Sequence, residues 1–296
     1  MSKSVKYLIT IVLLLAANLW LFFSGGSDDS IKAAKYFSSE DLENVSRFLF
    51  VMDKDTTKIE RTGEGWILNG EYQADEGFVN TLISVLERVE VGRTIEDWDR
   101  EIMGSAEVEF DFNSRYRFQF ATNANKTKTY FISEGVAKEV AVPGYRDNVA
   151  DIFVLHPDQW RDRLIIDGSW RTIQKLTVDK QNNDFEITFD DTFFLIDGRT
   201  PADSSALVGY LNQFQQFQAN EMVSEGRFPH LDSLFGTEPM ATISIQDIKR
   251  EAPYVLQIYP NLDNQGYHLA VDGEGQRMVL DAGRVQRILS HPDPRN

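Results

Sequence analysis

The stretch Trp66-Ile67-Leu68-Asn69-Gly70 returns 128 residues later as Phe194-Leu195-Ile196-Asp197-Gly198, and the match extends outward without a gap. Such self-similarity at a fixed offset marks an internal duplication. At the same offset Phe48 meets Leu176, Phe50 meets Val178, Ile59 meets Ile187, and Ala74-Asp75 meets Ala202-Asp203. Val79, Leu82, Ile83, Leu86 and Val89 then meet Leu207, Tyr210, Leu211, Phe214 and Phe217. Downstream the register slips by seven: at an offset of 135, Ala106, Val108 and Phe110 face Ala241, Ile243 and Ile245, and His156-Pro157-Asp158 faces His291-Pro292-Asp293.

Within a copy, residues 59–69 read as two short strands around the turn Gly63-Glu64-Gly65. From Asp75 to Val89 the apolar residues fall at 78, 79, 82, 83, 86 and 89, the spacing of one buried helical stripe. Asp75 and Asp203 stand where each stripe begins, and their carboxylates can accept hydrogen bonds from first-turn amides. Ala106-Glu107-Val108-Glu109-Phe110-Asp111-Phe112 alternates strictly, as a strand does with its apolar side chains on one sheet face and its three carboxylates in water. Asn113-Ser114-Arg115 reads as a tight hairpin connection, and residues 147–155 as a short closing helix. The second copy repeats the run of strands from Thr242 to Leu280 and ends on a helix at 285–289. The expected fold is α+β: two tandem copies of a mostly antiparallel sheet packed on one main helix. The expected boundaries are 1–26 for a cytoplasmic tip and anchor, 27–47 for a juxtamembrane linker with a short helix at 39–47, 48–159 for the first repeat and 160–296 for the second.

The anchor is read from Tyr7–Phe23, seventeen residues with only Asn18 strongly polar, spanning about 25 Å as a helix. Lys3 and Lys6 precede it, so the positive-inside rule puts the N-terminus in the cytoplasm and the rest outside. A cleaved signal peptide fits less well, because the apolar run is long and ends in Trp20-Leu21-Phe22-Phe23. Beyond residue 26, 28 basic residues stand against 46 acidic ones, a formal charge of −18. That surface disfavours nucleic acid and anionic headgroups. The absence of cysteine removes disulfides, thiolate metal sites and cysteine nucleophiles.

The strand Trp66-Ile67-Leu68, the helix-opening Ala74-Asp75 and Ala202-Asp203, and Trp160-Arg161-Asp162-Arg163-Leu164 resemble bacterial envelope proteins grouped as domain of unknown function 4340 (DUF4340). The resemblance covers nearly everything after the anchor. It implies a single N-terminal anchor in the inner membrane, a duplicated extracytoplasmic domain and, in some members, association with ABC-type export or gliding components as protein partners. It carries no catalytic or binding residues.

The residues themselves point away from catalysis. His156, His230, His268 and His291 lack the spacings that place two imidazoles on one helix face, so no metal site is assigned. His156 and His291 are read as structural residues at helix ends. His-Pro-Asp is also the signature of J-domain cochaperones, but strands rather than a basic helix precede it here. Asp53-Lys54-Asp55 begins like a calcium loop and lacks the glycine and glutamate such a loop needs. Asp190-Asp191 and Asp272-Gly273-Glu274-Gly275 read as turns. No nucleophile elbow or phosphate loop is present. Asn212–Gln218 reads as an amide-rich outer helix face, and residues 224–240, with Phe228, Pro229, Leu231, Leu234 and Phe235, as a loop covering the sheet. No catalytic, cofactor-binding or metal residue is assigned, and no cofactor is expected. The expected role is a non-enzymatic accessory or scaffold subunit; the alternatives are a ligand-binding module using a cleft between the copies, and an envelope hydrolase.

Overall fold

The computed structural model describes residues 34–292 except 97, 111–113, 146–147, 181–183 and 262–265. The expected anchor therefore lies outside the described residues, as does Asn113 of the expected hairpin turn at 113–115. Among the described residues no helix is long and apolar enough to cross a membrane.

The first half contains α1 (Ser39–Glu43), β1 (Val45–Val51), β2 (Thr56–Thr62), β3 (Gly65–Leu68), β4 (Tyr72–Gln73), α2 (Glu76–Glu87), β5 (Glu90–Ile95), β6 (Gly104–Phe110), β7 (Arg115–Thr122), β8 (Thr129–Ser133) and β9 (Val136–Ala141). The second half contains β10 (Leu164–Ile166), β11 (Ile173–Lys180), β12 (Phe185–Asp190), β13 (Phe193–Ile196), α3 (Ser204–Leu211), β14 (Phe217–Gln218), β15 (Glu221–Val223), α4 (Pro229–Asp232), β16 (Ala241–Asp247), β17 (Tyr254–Ile258), β18 (Tyr267–Asp272), β19 (Arg277–Asp281) and α5 (Ala282–Leu289). The described residues divide into two compact units, one of 34–58 and 80–154, the other of 59–79 and 155–292.

In the first unit the strand order is β1-β6-β7-β8-β9-β5; in the second, β11-β16-β17-β18-β19-β15 repeats it, preceded by β13-β12. The hairpins β2-β3 and β12-β13 share their register too, Ile59 opposite Leu68 and Ile187 opposite Ile196. The second strand of each hairpin, β3 and β13, then runs into the same turn. Asn69 and Gly70 have φ of 52° and 75°, Asp197 and Gly198 49° and 74°, and the amides of Glu71 and Arg199 donate to the carbonyls of Leu68 and Ile196, three residues back, at 3.0 and 2.9 Å. Two successive positive φ values are the I′ geometry that suits a twisted hairpin, which is why Asn-Gly and Asp-Gly stand there.

The duplication reaches an irregularity. Pairing of β1 with β6 slips between Val45 and Arg47, and pairing of β11 with β16 slips between Ile173 and Lys175, 128 residues on. Phe48 faces Val108 while Leu176 faces Ile245, so the later strands correspond at an offset of 137 rather than the expected 135. A shift of two residues keeps every side chain on its face, so the hydrophobic pattern alone could not fix the register.

The α+β expectation is corrected: the architecture is mostly antiparallel β, in three sheets, without one main helix per copy. The helical stripe at 203–217 is real only to Leu211. Phe214 lies in a 3-10 turn and Phe217 in β14, yet both are buried. A second short helix, α5, shares the covering of this core, with Val285, Ile288 and Leu289 joining Leu207, Tyr210 and Leu211 in one cluster. The Tyr210 hydroxyl donates to the Ile288 carbonyl at 2.5 Å, and Lys180 Nζ donates to the Leu289 carbonyl at 2.6 Å, closing the helix end. The expected helix at 39–47 is also shorter, because β1 claims the chain from Val45; Ser38 caps what remains by accepting from Asp41 N at 3.0 Å. The cap readings hold: Asp75 accepts from Phe78 N at 2.9 Å, and Asp203 from Ser205 and Ala206 N at 2.9 and 3.1 Å.

In the first unit the closing helix at 147–155 is a 3-10 turn, Val149–Ile152, that seats Phe153 in the core. Phe153 is 1% exposed and its ring lies 5.1–5.9 Å from those of Phe50, Phe118, Phe120 and Phe131. Removing it leaves a cavity among those four rings. Phe153→Ala is expected to cost about 3–5 kcal/mol, against about 0.5 kcal/mol or less for Ile248→Ala at an exposed position, both read from urea unfolding midpoints.

Candidate functional site

The densest buried charge lies in the second unit, where Pro157 opens the 3-10 turn Pro157–Trp160. Proline fits a first turn because its missing amide would be unpaired there anyway. His156 caps that turn: its Nδ1 accepts from Asp158 N at 3.2 Å while its own amide donates to Gln159 Oε1 at 2.9 Å. The histidine thus serves the turn that follows it, not the helix end before it. Trp160 is fully buried with Phe78 4.6 Å away, and Asp75 N and Asp162 N donate at 2.8 Å to the carbonyls of Trp160 and Gln73. These contacts fix Asp158 and Arg161 on either side of the anchored tryptophan.

Asp158 is 2% exposed. It accepts from Ser224 N at 2.8 Å and from Ser224 Oγ, and Arg227 and Arg161 approach at 3.3 and 3.5 Å. Burial alone would push its carboxyl up. The Ser224 hydrogen bonds, with the charge of Arg161, outweigh burial and hold it below the usual carboxylate range. Arg227 also pairs with Glu221 at 2.6 Å, so two guanidiniums meet two carboxylates. Arg161, 3% exposed, donates to Gln276 Oε1 at 3.1 Å and lies 3.8 Å over the Tyr72 ring.

A cleft of about 320 Å³ opens beside this cluster, lined by Glu71, Tyr72, Arg161, Ser224, Glu225, Gln276 and Arg277 among others. Its polar groups are already committed. Arg277 bonds Asp232 at 3.0 Å and stacks 4.6 Å from Phe235, and burial followed by the Glu71 hydrogen bond raises the Tyr72 hydroxyl. Nucleophilic catalysis needs a hydroxyl facing a base. Ser224 Oγ instead spends its proton on Asp158, whose lowered pKa makes it a poor base, and among the described residues no hydrogen bond joins His156 to Ser224. What the arrangement does chemically is hold four segments together around one ionised carboxylate.

The other sequence-named residues scatter. Asp55 accepts through its carbonyl from Met52 N at 2.9 Å in the β1-β2 turn, and Asp272 accepts from Glu274 and Gln276 N at 3.0 and 2.8 Å in the β18-β19 turn. His291 lies 3.5 Å from Asp197 with Phe185 5.1 Å away, surroundings unlike those of His156; Asp293 lies outside the described residues. His268 Nδ1 lies 3.0 Å from the Tyr259 carbonyl. The loop at 224–240 covers the outer sheet face as expected, Leu234 packing with Tyr259 and Leu269. The amide run at 212–218 is not a helix face, because α3 ends at Leu211. Sequence reasoning did not single out Ser224, Arg227 or Tyr72; the one available signal was His-Pro-Asp followed by Trp-Arg, a capped turn leading into buried residues.

Asp158→Asn leaves the buried Arg161 guanidinium and the partly buried Arg227 guanidinium short of a counter-charge and is expected to cost about 3–5 kcal/mol at neutral pH. Because the folded pKa lies below the unfolded one, the wild-type contribution is present above the unfolded pKa and disappears as pH falls through the folded one. Urea midpoints followed from pH 7 to pH 2.5 are expected to fall less steeply in Asp158→Asn than in wild type over the acid limb.

Compared with protein-family models, characterised proteins and solved structures, the chain matches none.

Proposed function

We propose that this chain is a non-enzymatic accessory or scaffold subunit, anchored in a bacterial inner membrane by residues 7–23 and acting beside an ABC-type transport or envelope complex. The observation that supports it is the self-sufficiency of the Asp158 cluster: Asp158, Arg161, Arg227 and Glu221 are paired with one another, and the adjoining cleft offers paired groups rather than a poised acid, base or nucleophile. A catalytic pocket would hold a titratable group with its pKa moved toward neutrality, whereas Asp158 is moved away from it. The resemblance to domain of unknown function 4340 supplies the transporter part of the reading.

The test is affinity purification of the tagged full chain from its own membranes in mild detergent, with an untagged strain as control. Transporter subunits in reproducible stoichiometry are expected. A chain that is repeatedly recovered alone contradicts the proposal.

A further inference from the structure

The two hairpins matched by the duplication, β2-β3 and β12-β13, keep their register and differ at their tips. At the offset of 128, Arg61, Thr62, Gly63 and Gly65 become Phe189, Asp190, Asp191 and Phe193. In the first hairpin Arg61 stands opposite Trp66 and holds its guanidinium 5.7 Å from the centre of that ring. In the second, Phe189 stands opposite Phe194 with the ring centres 5.3 Å apart, and among the described residues no cation lies over either ring. Phe194 is 1% exposed and Phe189 42%, so a buried ring holds an exposed one in place.

The tip is also acidic. Asp191 has a φ of 47°, a left-handed position that aspartate tolerates, and the Asp190 carbonyl accepts from Thr192 N and, at 2.9 Å, from Thr192 Oγ1. The backbone holds this turn, and neither carboxylate takes a donor or a cation among the described residues. Lys175 pairs with Thr188 on one side and Gln246 on the other, so the next residues outward on the inner face, Phe189 and Asp247, share one end of the sheet, two strands and about 10 Å apart. Asp247 stands where the first copy has Phe110; it is 2% exposed, its Oδ1 accepts from Lys249 N at 2.9 Å, and its Oδ2 has no partner among the described residues. At this end Lys175, Lys249 and Arg250 are spent on Glu186, Asp167 and Glu274 at 2.8, 3.2 and 3.9 Å. Asp190, Asp191, Asp247 and Glu251 have no such partner, against one guanidinium, Arg171, lying 5.3 Å over Trp170. Four carboxylates against one cation leave three negative charges in surplus.

We propose that the β12-β13 tip docks a basic segment of a partner protein, an arginine or lysine side chain lying across the Phe189 ring with its charge beside Asp190 and Asp191. The first hairpin makes the same kind of pairing within the chain, Arg61 over Trp66. The local surplus and the charge of −18 beyond residue 26 act in the same sense: a basic segment is drawn to this end, and an anionic bilayer or a second copy of this acidic chain is repelled. A free polyamine is the poorer occupant, because an exposed turn buries little of a small ligand, whereas a protein segment adds contacts around the ring. The inference takes from the accessory reading only that the partner is a protein, and names that partner's chemistry.

The test uses the purified full chain in neutral detergent and an octapeptide of alternating arginine and glycine carrying an uncharged fluorophore, read by anisotropy. Saturable binding is expected, weakened about tenfold by the double substitution Asp190→Asn/Asp191→Asn and about two- to fivefold by Phe189→Leu, retained within about twofold by Phe189→Tyr, and absent for a glutamate-glycine peptide. Asp53→Asn/Asp55→Asn removes two exposed carboxylates from the β1-β2 turn and is expected to leave binding within about twofold, which separates the tip from general attraction to an acidic chain. Thermal unfolding of each variant is followed in parallel. Wild type that ignores the peptide, a loss in the β1-β2 turn variant equal to that in the tip variant, or Phe189→Leu that binds like wild type overturns the docking site. None of these results touches the accessory reading, which is decided by what co-purifies from the membrane.

Discussion

The second unit is organised around one carboxylate that must not be left unpaired. Removing an ionised carboxyl from water is costly unless donors replace its hydration, and Asp158 obtains them from Arg161 in its own turn and from Ser224 and Arg227, 66 and 69 residues away. Each donor brings its own segment: Ser224 and Arg227 the chain after β15, Arg161 the chain leading to β10. Arg161 in turn reaches Gln276 at the start of the β19 hairpin and the Tyr72 ring of β4. The isolated bridge between Ala74 and Arg161 and the paired amides of Asp75 and Asp162 explain why residues 59–79 cluster with the second unit although they belong in sequence to the first repeat.

Duplication supplies the scaffold on which such differences are written. The shared strand order, the shared I′-type turns and the bulge repeated at Val45 and Ile173 all concern backbone geometry, which inner-face packing constrains tightly. Outer faces are freer. In the second unit the loop at 224–240 lays Leu234 over Tyr259 and Leu269, whereas in the first Trp98 packs beside Ala121, Tyr130, Ile132 and Ala137. The copies therefore share a core plan and differ in what they present outward.

Much of this was legible in the residues. The alternation around Ala106–Phe110 identifies the strand, although Glu107 is buried under guanidiniums rather than in water; Asp75 and Asp203 are recognisable caps, and the apolar residues of 224–240 cover the sheet. Helix extent was overread at Phe214 and Phe217, because a 3-10 turn followed by a strand can bring the same side chains to the core that a continuous helix would. The two-residue error in aligning the later strands has a similar origin, since period-two patterns survive such a slip. The Asp158 cluster was invisible for another reason: its hydrogen bonds span 66 residues to Ser224 and, from Arg161, 115 residues to Gln276, and no local spacing announces them.

The central claim is that the buried charges around Asp158 are a permanent structural tie rather than a site that opens to receive something. Native-state hydrogen exchange of the Ser224 amide, which donates to Asp158 at 2.8 Å, addresses it most directly. The account expects that amide to exchange only through global unfolding, with a free energy and denaturant dependence equal to those of amides in the central strands β11 and β16. Exchange through a low-energy local opening, insensitive to denaturant, would contradict it.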